Sequence, residues 1–168
     1  EDDAGDIGLR TSKMQYHPIE LLNKSFVYVV RPEKRLHSIP TIFVSNLVLK
    51  QIDKTDAYAY HLLNVDDKNN EFWGYDYRED NTSPEGDYFY QTVLEDFEQR
   101  KSFSFGIFLE EKLIGECIIY NIKMGGECEI GLRFFPDHQN KGYGKSILKR
   151  ICDFLILEKK KKKLHVKC

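Results

Sequence analysis

The sequence predicts an α/β domain of the α+β kind, built on a mixed, mostly antiparallel twisted sheet with flanking helices. Three observations carry that prediction. Between residues 103 and 135 apolar positions alternate in three runs separated by short turns, the pattern of an antiparallel meander. From Gly142 the spacing changes to that of an amphipathic helix, and a strand pattern returns at Leu164. The chain has 168 residues, 41% hydrophobic and 13% aromatic, which is enough for one core of ordinary size.

Taken in order, residues 1–40 read as an N-terminal extension with one strand, Phe26-Val27-Tyr28-Val29-Val30, set apart from the rest of the chain by Pro32 and Pro40. The domain proper spans 41–168. Residues 42–52 are strand-like, and Asp53 and Asp56 are candidate caps for a helix through Ala57, Tyr60, His61 and Val65. A polar loop with embedded aromatics comes next, Phe72-Trp73-Gly74-Tyr75-Asp76-Tyr77. Ser83-Pro84-Glu85 starts another helix, since Ser caps, Pro fits the first helical position and Glu suits the positive end of the dipole. Phe89, Val93 and Phe97 give it an apolar face.

The meander then runs over 103–109, 113–120 and 127–135, turning at Glu110-Glu111-Lys112 and at Gly125-Gly126. In its third strand Cys128, Ile130, Leu132 and Phe134 share one face, and Glu129, Gly131, Arg133 and Phe135 share the other. Pro136 ends the strand. Tyr143, Ile147, Ile151 and Phe154 or Leu155 form the stripe of the last helix, closed by lysines 159–163. A strand from Leu164 must run parallel to its predecessor if that helix crosses over.

Composition excludes several classes of function. With 25 Lys and Arg against 27 Asp and Glu, a net charge of −2 gives no global attraction to DNA or anionic lipid. No stretch approaches the ~20 apolar residues of a membrane helix. The cysteines at 117, 128, 152 and 168 form no Cys-x-x-Cys, so neither a metal site nor a redox dithiol is expected. A reduced, cytoplasmic protein is the expectation from that usage.

The segment with chemical content is Gln139-Asn140-Lys141-Gly142-Tyr143-Gly144. A strand, a Gly-containing loop and a helix N-terminus bring backbone N–H groups to one point, and the dipole makes that point attractive to phosphate. Gly-x-Gly alone is expected about 0.7 times by chance in this composition, and requiring Gln or Arg three residues earlier lowers that to about 0.05. A Walker loop is set aside. So is a dinucleotide fingerprint, which lacks its third Gly and would follow a parallel strand.

That hexapeptide resembles the Gln/Arg-x-x-Gly-x-Gly/Ala loop of the GNAT superfamily of N-acetyltransferases. Cys128-Glu129-Ile130-Gly131-Leu132-Arg133-Phe134-Phe135-Pro136 upstream is similar to the Glu-Ile-Gly strand and Pro turn of the ribosomal-protein N-acetyltransferase branch. The element order agrees over about three quarters of the chain, from residue 43 onward. The resemblance implies an acetyl-CoA-dependent transfer of an acetyl group to a primary amine of a small molecule or a protein N-terminus, by direct attack. It implies that the pyrophosphate of CoA sits on Gln139, Asn140, Lys141, Gly142, Tyr143 and Gly144, and that the pantetheine arm pairs near Phe134. It also implies that Glu129 acts as general base and that Trp73 and Tyr75 line the acceptor pocket.

Each of these roles has a plainer counterpart. Glu129 is equally a solvated strand residue or the ion-pair partner of Arg133, Trp73, Tyr75 and Tyr77 are equally packing residues, and the lysine run suits a solvated helix end. The family's thiolate-protonating Tyr lies on a helix after the strand begun at Leu164. The expected fold therefore lacks its C-terminal helix and strands, which keeps a non-catalytic CoA-binding or interaction domain as the alternative. No direct nucleic-acid binding and no membrane are expected, and a homodimer is compatible with the sequence.

Overall fold

Period-two runs of Phe, Ile and Leu bury a full face only when neighbouring strands lie in register, and the chain satisfies this with a six-stranded sheet. The structure, a computed structural model, describes residues 36–73, 87–123, 126–159 and 161–167. The expected strand at 26–30, the helix start at Ser83, Tyr75 and Tyr77 lie outside them.

Strands β1 (Ile42–Val44), β2 (Leu47–Lys50), β3 (Phe103–Leu109), β4 (Lys112–Tyr120) and β5 (Glu127–Phe134) pair antiparallel in sequence order. β6 (Lys163–Lys167) pairs parallel to β5, from Glu127 opposite Lys163 to Gly131 opposite Lys167. The meander and the parallel return are as the sequence predicts. Residues 42–52, however, are not one strand: Ser45 and Asn46 turn the chain, and Ile42 pairs with Leu49. Ser45 takes a φ of 54°, the positive angle that a two-residue hairpin needs at its first position.

Helix α1 (Ala57–Val65) comes after a 3₁₀ turn at Lys54–Asp56, where the Asp53 N–H donates to the Asp56 carboxylate at 3.1 Å. The next segment departs from expectation. Residues 67–73 form helix α2 (Asp67–Trp73), so Phe72 and Trp73 end a helix instead of opening a loop. Asp66 explains the difference, since its extended backbone and its Oδ1, which accepts from the Asn69 N–H at 2.9 Å, cap the new helix. Helix α3 (Tyr88–Glu98) and helix α4 (Tyr143–Asp153) complete the set, α4 ending in one π turn at Phe154–Glu158.

The two sheet faces are covered separately. On one, Phe105, Ile107, Cys117, Ile119, Cys128 and Ile130 pack with Ile147, Ile151, Phe154 and Leu155 of α4 and its last turn. Phe105 and Phe154 meet edge to face at 6.1 Å. On the other, Phe108 and Leu113 pack with Tyr60 and Leu63 of α1 and Phe89 of α3. The lysine run is not uniformly solvated: Lys161 is buried between the π turn and β6. Among the described residues, no group of His, Cys, Asp or Glu is placed to hold a metal ion, and no helix is long and apolar enough to cross a membrane.

Candidate active site

The site is built where β5 runs out. β6 accompanies β5 as far as Gly131, so among the described residues the outer edge of β5 from Leu132 to Phe134 is left unpaired by it. On its inner edge, β4 carries a bulge at Ile114, because Ile107 faces Gly115 while Phe108 faces Leu113. The Phe135 N–H donates to the Ile114 carbonyl at 3.0 Å. Gly115 lies opposite Phe134, and a Cβ there would come within 2.8 Å of the Phe134 ring, so only glycine admits this approach.

Pro136 then starts a 3₁₀ turn through His138, and the loop from Gln139 leads into α4. Asn140 (φ 58°) and Gly142 (φ 79°) both take left-handed backbone. Gly142 is the N-cap of α4, and a Cβ built on it would meet no atom of the described residues within 4 Å. The first N–H groups of a helix have no intrahelical acceptor, and there the dipole favours an anion. A Cβ on Gly144 would instead touch Leu132 at 3.3 Å, because α4 starts close against β5. Tyr143 packs beside Phe134, with ring centroids 6.3 Å apart. The imidazole of His138 has its pKa pushed down, first by desolvation and then by Lys141 and Lys112.

All six residues of the expected anion loop and Phe134 therefore gather at one place. Gly144-Lys145-Ser146 does repeat the closing residues of a Walker loop. Gln139 stands where such a loop needs its first Gly, so the Walker assignment still fails. Glu129 lies farther along β5, opposite Tyr120, with its Oε1 accepting from Asn121 Nδ2 at 3.0 Å. It is two residues before the end of the β6 pairing, about 7 Å back along the strand at the usual rise. Trp73 is the last residue of α2.

Beneath the site lies a buried polar network that sequence reasoning missed. Arg133 Nε and Nη2 donate to Glu116 Oε2 at 2.9 and 2.6 Å, and Nη2 also donates to Asn64 Oδ1 at 2.6 Å. Tyr60 donates its hydroxyl to Glu116 Oε1 at 2.5 Å, and burial followed by the Glu116 charge pushes its pKa well above the usual tyrosine value. Glu116 is 1% exposed and Arg133 7%. Glu116, then, is the carboxylate the structure sets against Arg133. Asn64 donates to the Tyr60 carbonyl at 2.8 Å, and Asn70 donates to the Asn64 carbonyl at 2.7 Å, which carries the network into α2. The signal in the sequence was a lone charge, Glu116, inside an apolar run; only the β4–β5 register sets it opposite Arg133.

Comparison with known proteins agrees with this architecture. A family model described as a GNAT acetyltransferase domain matches residues 46–168. No curated protein gives a significant match. Among solved structures, spermidine N-acetyltransferase from Vibrio cholerae, solved with CoA and spermine, superposes with a TM-score of 0.61 at 18% identity, covering 73% of this chain and 70% of that one. Ribosomal-protein-S5-alanine acetyltransferase from Vibrio fischeri gives 0.63 at 16% identity, covering 76% and 73%. A GNAT-family acetyltransferase from Bacillus anthracis gives 0.57 at 20%, covering 77% and 74%. With the sheet order and the glycine-capped helix already in place, the match over residues 46–168 makes this chain a member of the GNAT acetyltransferase family.

Proposed function

We propose that the chain is an acetyl-CoA-dependent N-acetyltransferase that acts on a primary amine of a small molecule or a protein N-terminus. The observation that carries this reading is the left-handed Gly142 as N-cap of α4, where a Cβ would meet none of the described atoms within 4 Å, on the loop that joins β5 to that helix. Structures superposing on this chain include one solved with CoA and a polyamine. Acetyl-CoA, when bound, supplies the acetyl group as an activated thioester.

The chain's own contributions derive from its geometry. The loop from Gln139 to Gly144 would hold the pyrophosphate through its N–H groups from Asn140 onward, since the Gln139 N–H donates to the Pro136 carbonyl at 3.2 Å, and the outer edge of β5 around Phe134 would offer peptide groups to the pantetheine arm. A strand N–H at that edge stabilises charge developing on the acyl oxygen. Holding both reactants together supplies much of the acceleration. Glu129, on the same strand two residues before Gly131, takes the proton from the amine, directly or through a water. Trp73 and Tyr75 are the residues the family resemblance assigns to the acceptor.

The test is release of free thiol from acetyl-CoA in the presence of a panel of polyamines, amino acids and peptides with free N-termini. Amine-dependent thiol release with an acetylated product is expected. Binding of CoA without turnover on any amine would leave a CoA-binding module, and no CoA binding would contradict the reading.

A further inference from the structure

Asn69 is an unusual occupant of its position. It is 9% exposed, its Oδ1 accepts from Gln139 Nε2 at 3.2 Å, and its own Nδ2 is buried with no hydrogen-bond partner among the described residues. Burying an amide with half its capacity unmet is unfavourable, so packing alone does not account for it. Gln139 Nε2 also donates to the Phe134 carbonyl at 3.1 Å. One amide nitrogen thus ties together the last residue of β5, helix α2 and the first residue of the glycine loop. With left-handed residues at 140 and 142, that loop has no regular ladder to fix it.

Helix α2 is in turn held to the sheet. Asn70 Nδ2 donates to the Asn64 and Asp66 carbonyls at 2.7 and 3.0 Å, and Asn64 accepts from Arg133. A continuous path of hydrogen bonds therefore runs from the buried Arg133–Glu116 pair through α1 and α2 to Gln139.

We propose that Asn69 and Gln139 are positioning residues, their bridge coupling helix α2 to the loop that holds the CoA pyrophosphate. This rests on the preceding assignment of that loop to CoA. Because coupling between sites is reciprocal, CoA on the loop must also order α2.

Calorimetric titration of the full chain with CoA, on wild type, Asn69→Leu, Gln139→Met and the double variant, tests the bridge. Asn69→Leu should weaken CoA binding about threefold to tenfold, the range for one lost hydrogen bond, Gln139→Met, which also loses the bond to the Phe134 carbonyl, by at least as much, and the double change should do no worse than Gln139→Met alone. Hydrogen exchange at saturating CoA gives a second readout. Peptides covering residues 67–73 should gain protection in wild type but not in Gln139→Met, with melting temperatures recording any general loss of stability. Wild type that fails to bind CoA overturns the assignment of the loop. Wild type that binds CoA while the two substitutions act additively, or while α2 is protected equally in Gln139→Met, overturns the coupling alone.

Discussion

Glu129 and Arg133 stand on the same face of β5 and end in different circumstances. Arg133 faces the Glu116 carboxylate in the interior, while Glu129 keeps one oxygen on Asn121 near the surface. The sequence allows an ion pair between the two; the structure gives Arg133 a different carboxylate and leaves the catalytic proposal for Glu129 standing. Glu129→Gln preserves shape and removes basicity. Turnover is expected to fall by about 10²–10⁴-fold if base catalysis is fully used, with CoA affinity nearly unchanged, as steady-state kinetics and titration calorimetry on one preparation would show. An unchanged rate and pH profile would return Glu129 to a structural role. At this scale the backbone of the glycine loop was legible, because Gly142 and Gly144 act through geometry that residue type dictates, whereas the side-chain bonds of Gln139 to Asn69 and Phe134 were not. Asn69 and Asn70 were not, since an Asn in a polar run looks the same whether it is solvated or folded under a sheet.

Among elements, the decisive contacts are those the sequence shows only in part. The three meander strands and α4 were readable because their periodicity is long and unbroken. The β1–β2 hairpin was not, because Ser45-Asn46 lacks the glycine that usually marks so tight a turn. Helix α2 was missed for a related reason: Asp66, Asp67, Asn69 and Asn70 favour turns in isolation, and only the cap made by Asp66 turns them into a helix start. What locks α1 to the sheet is the Tyr60–Glu116–Arg133–Asn64 network. Removing one partner of such a pair is costly because the remaining charge stays buried. Glu116→Leu is expected to lower unfolding stability by about 3–5 kcal/mol in urea titrations, and adding Arg133→Leu should recover much of the loss. A Glu116→Leu variant as stable as wild type would show that the pair is only filling space.

For the molecule as a whole, the same buried groups set a limit at alkaline pH. Tyr60 is pushed up by burial and then by Glu116, and Cys117 likewise by burial first and Glu116 second. Both hold their protons more tightly folded than unfolded. Their contribution is therefore complete below the ordinary values of 9.0 for cysteine and 10.0 for tyrosine, and it is lost as pH rises above them toward the folded values. The melting temperature should decline from about pH 9 upward, and Cys117→Ala should flatten the first part of that decline. Among the described residues the fold brings the end of β5, the glycine loop and the N-terminus of α4 together, and the proposed function turns on what binds there. Titrating ¹⁵N-labelled protein with CoA and following the backbone amides addresses this directly. The largest shift changes are expected at Gln139 to Gly144, with smaller ones at Leu132 to Phe134; perturbations centred elsewhere, or none at saturating CoA, would contradict it.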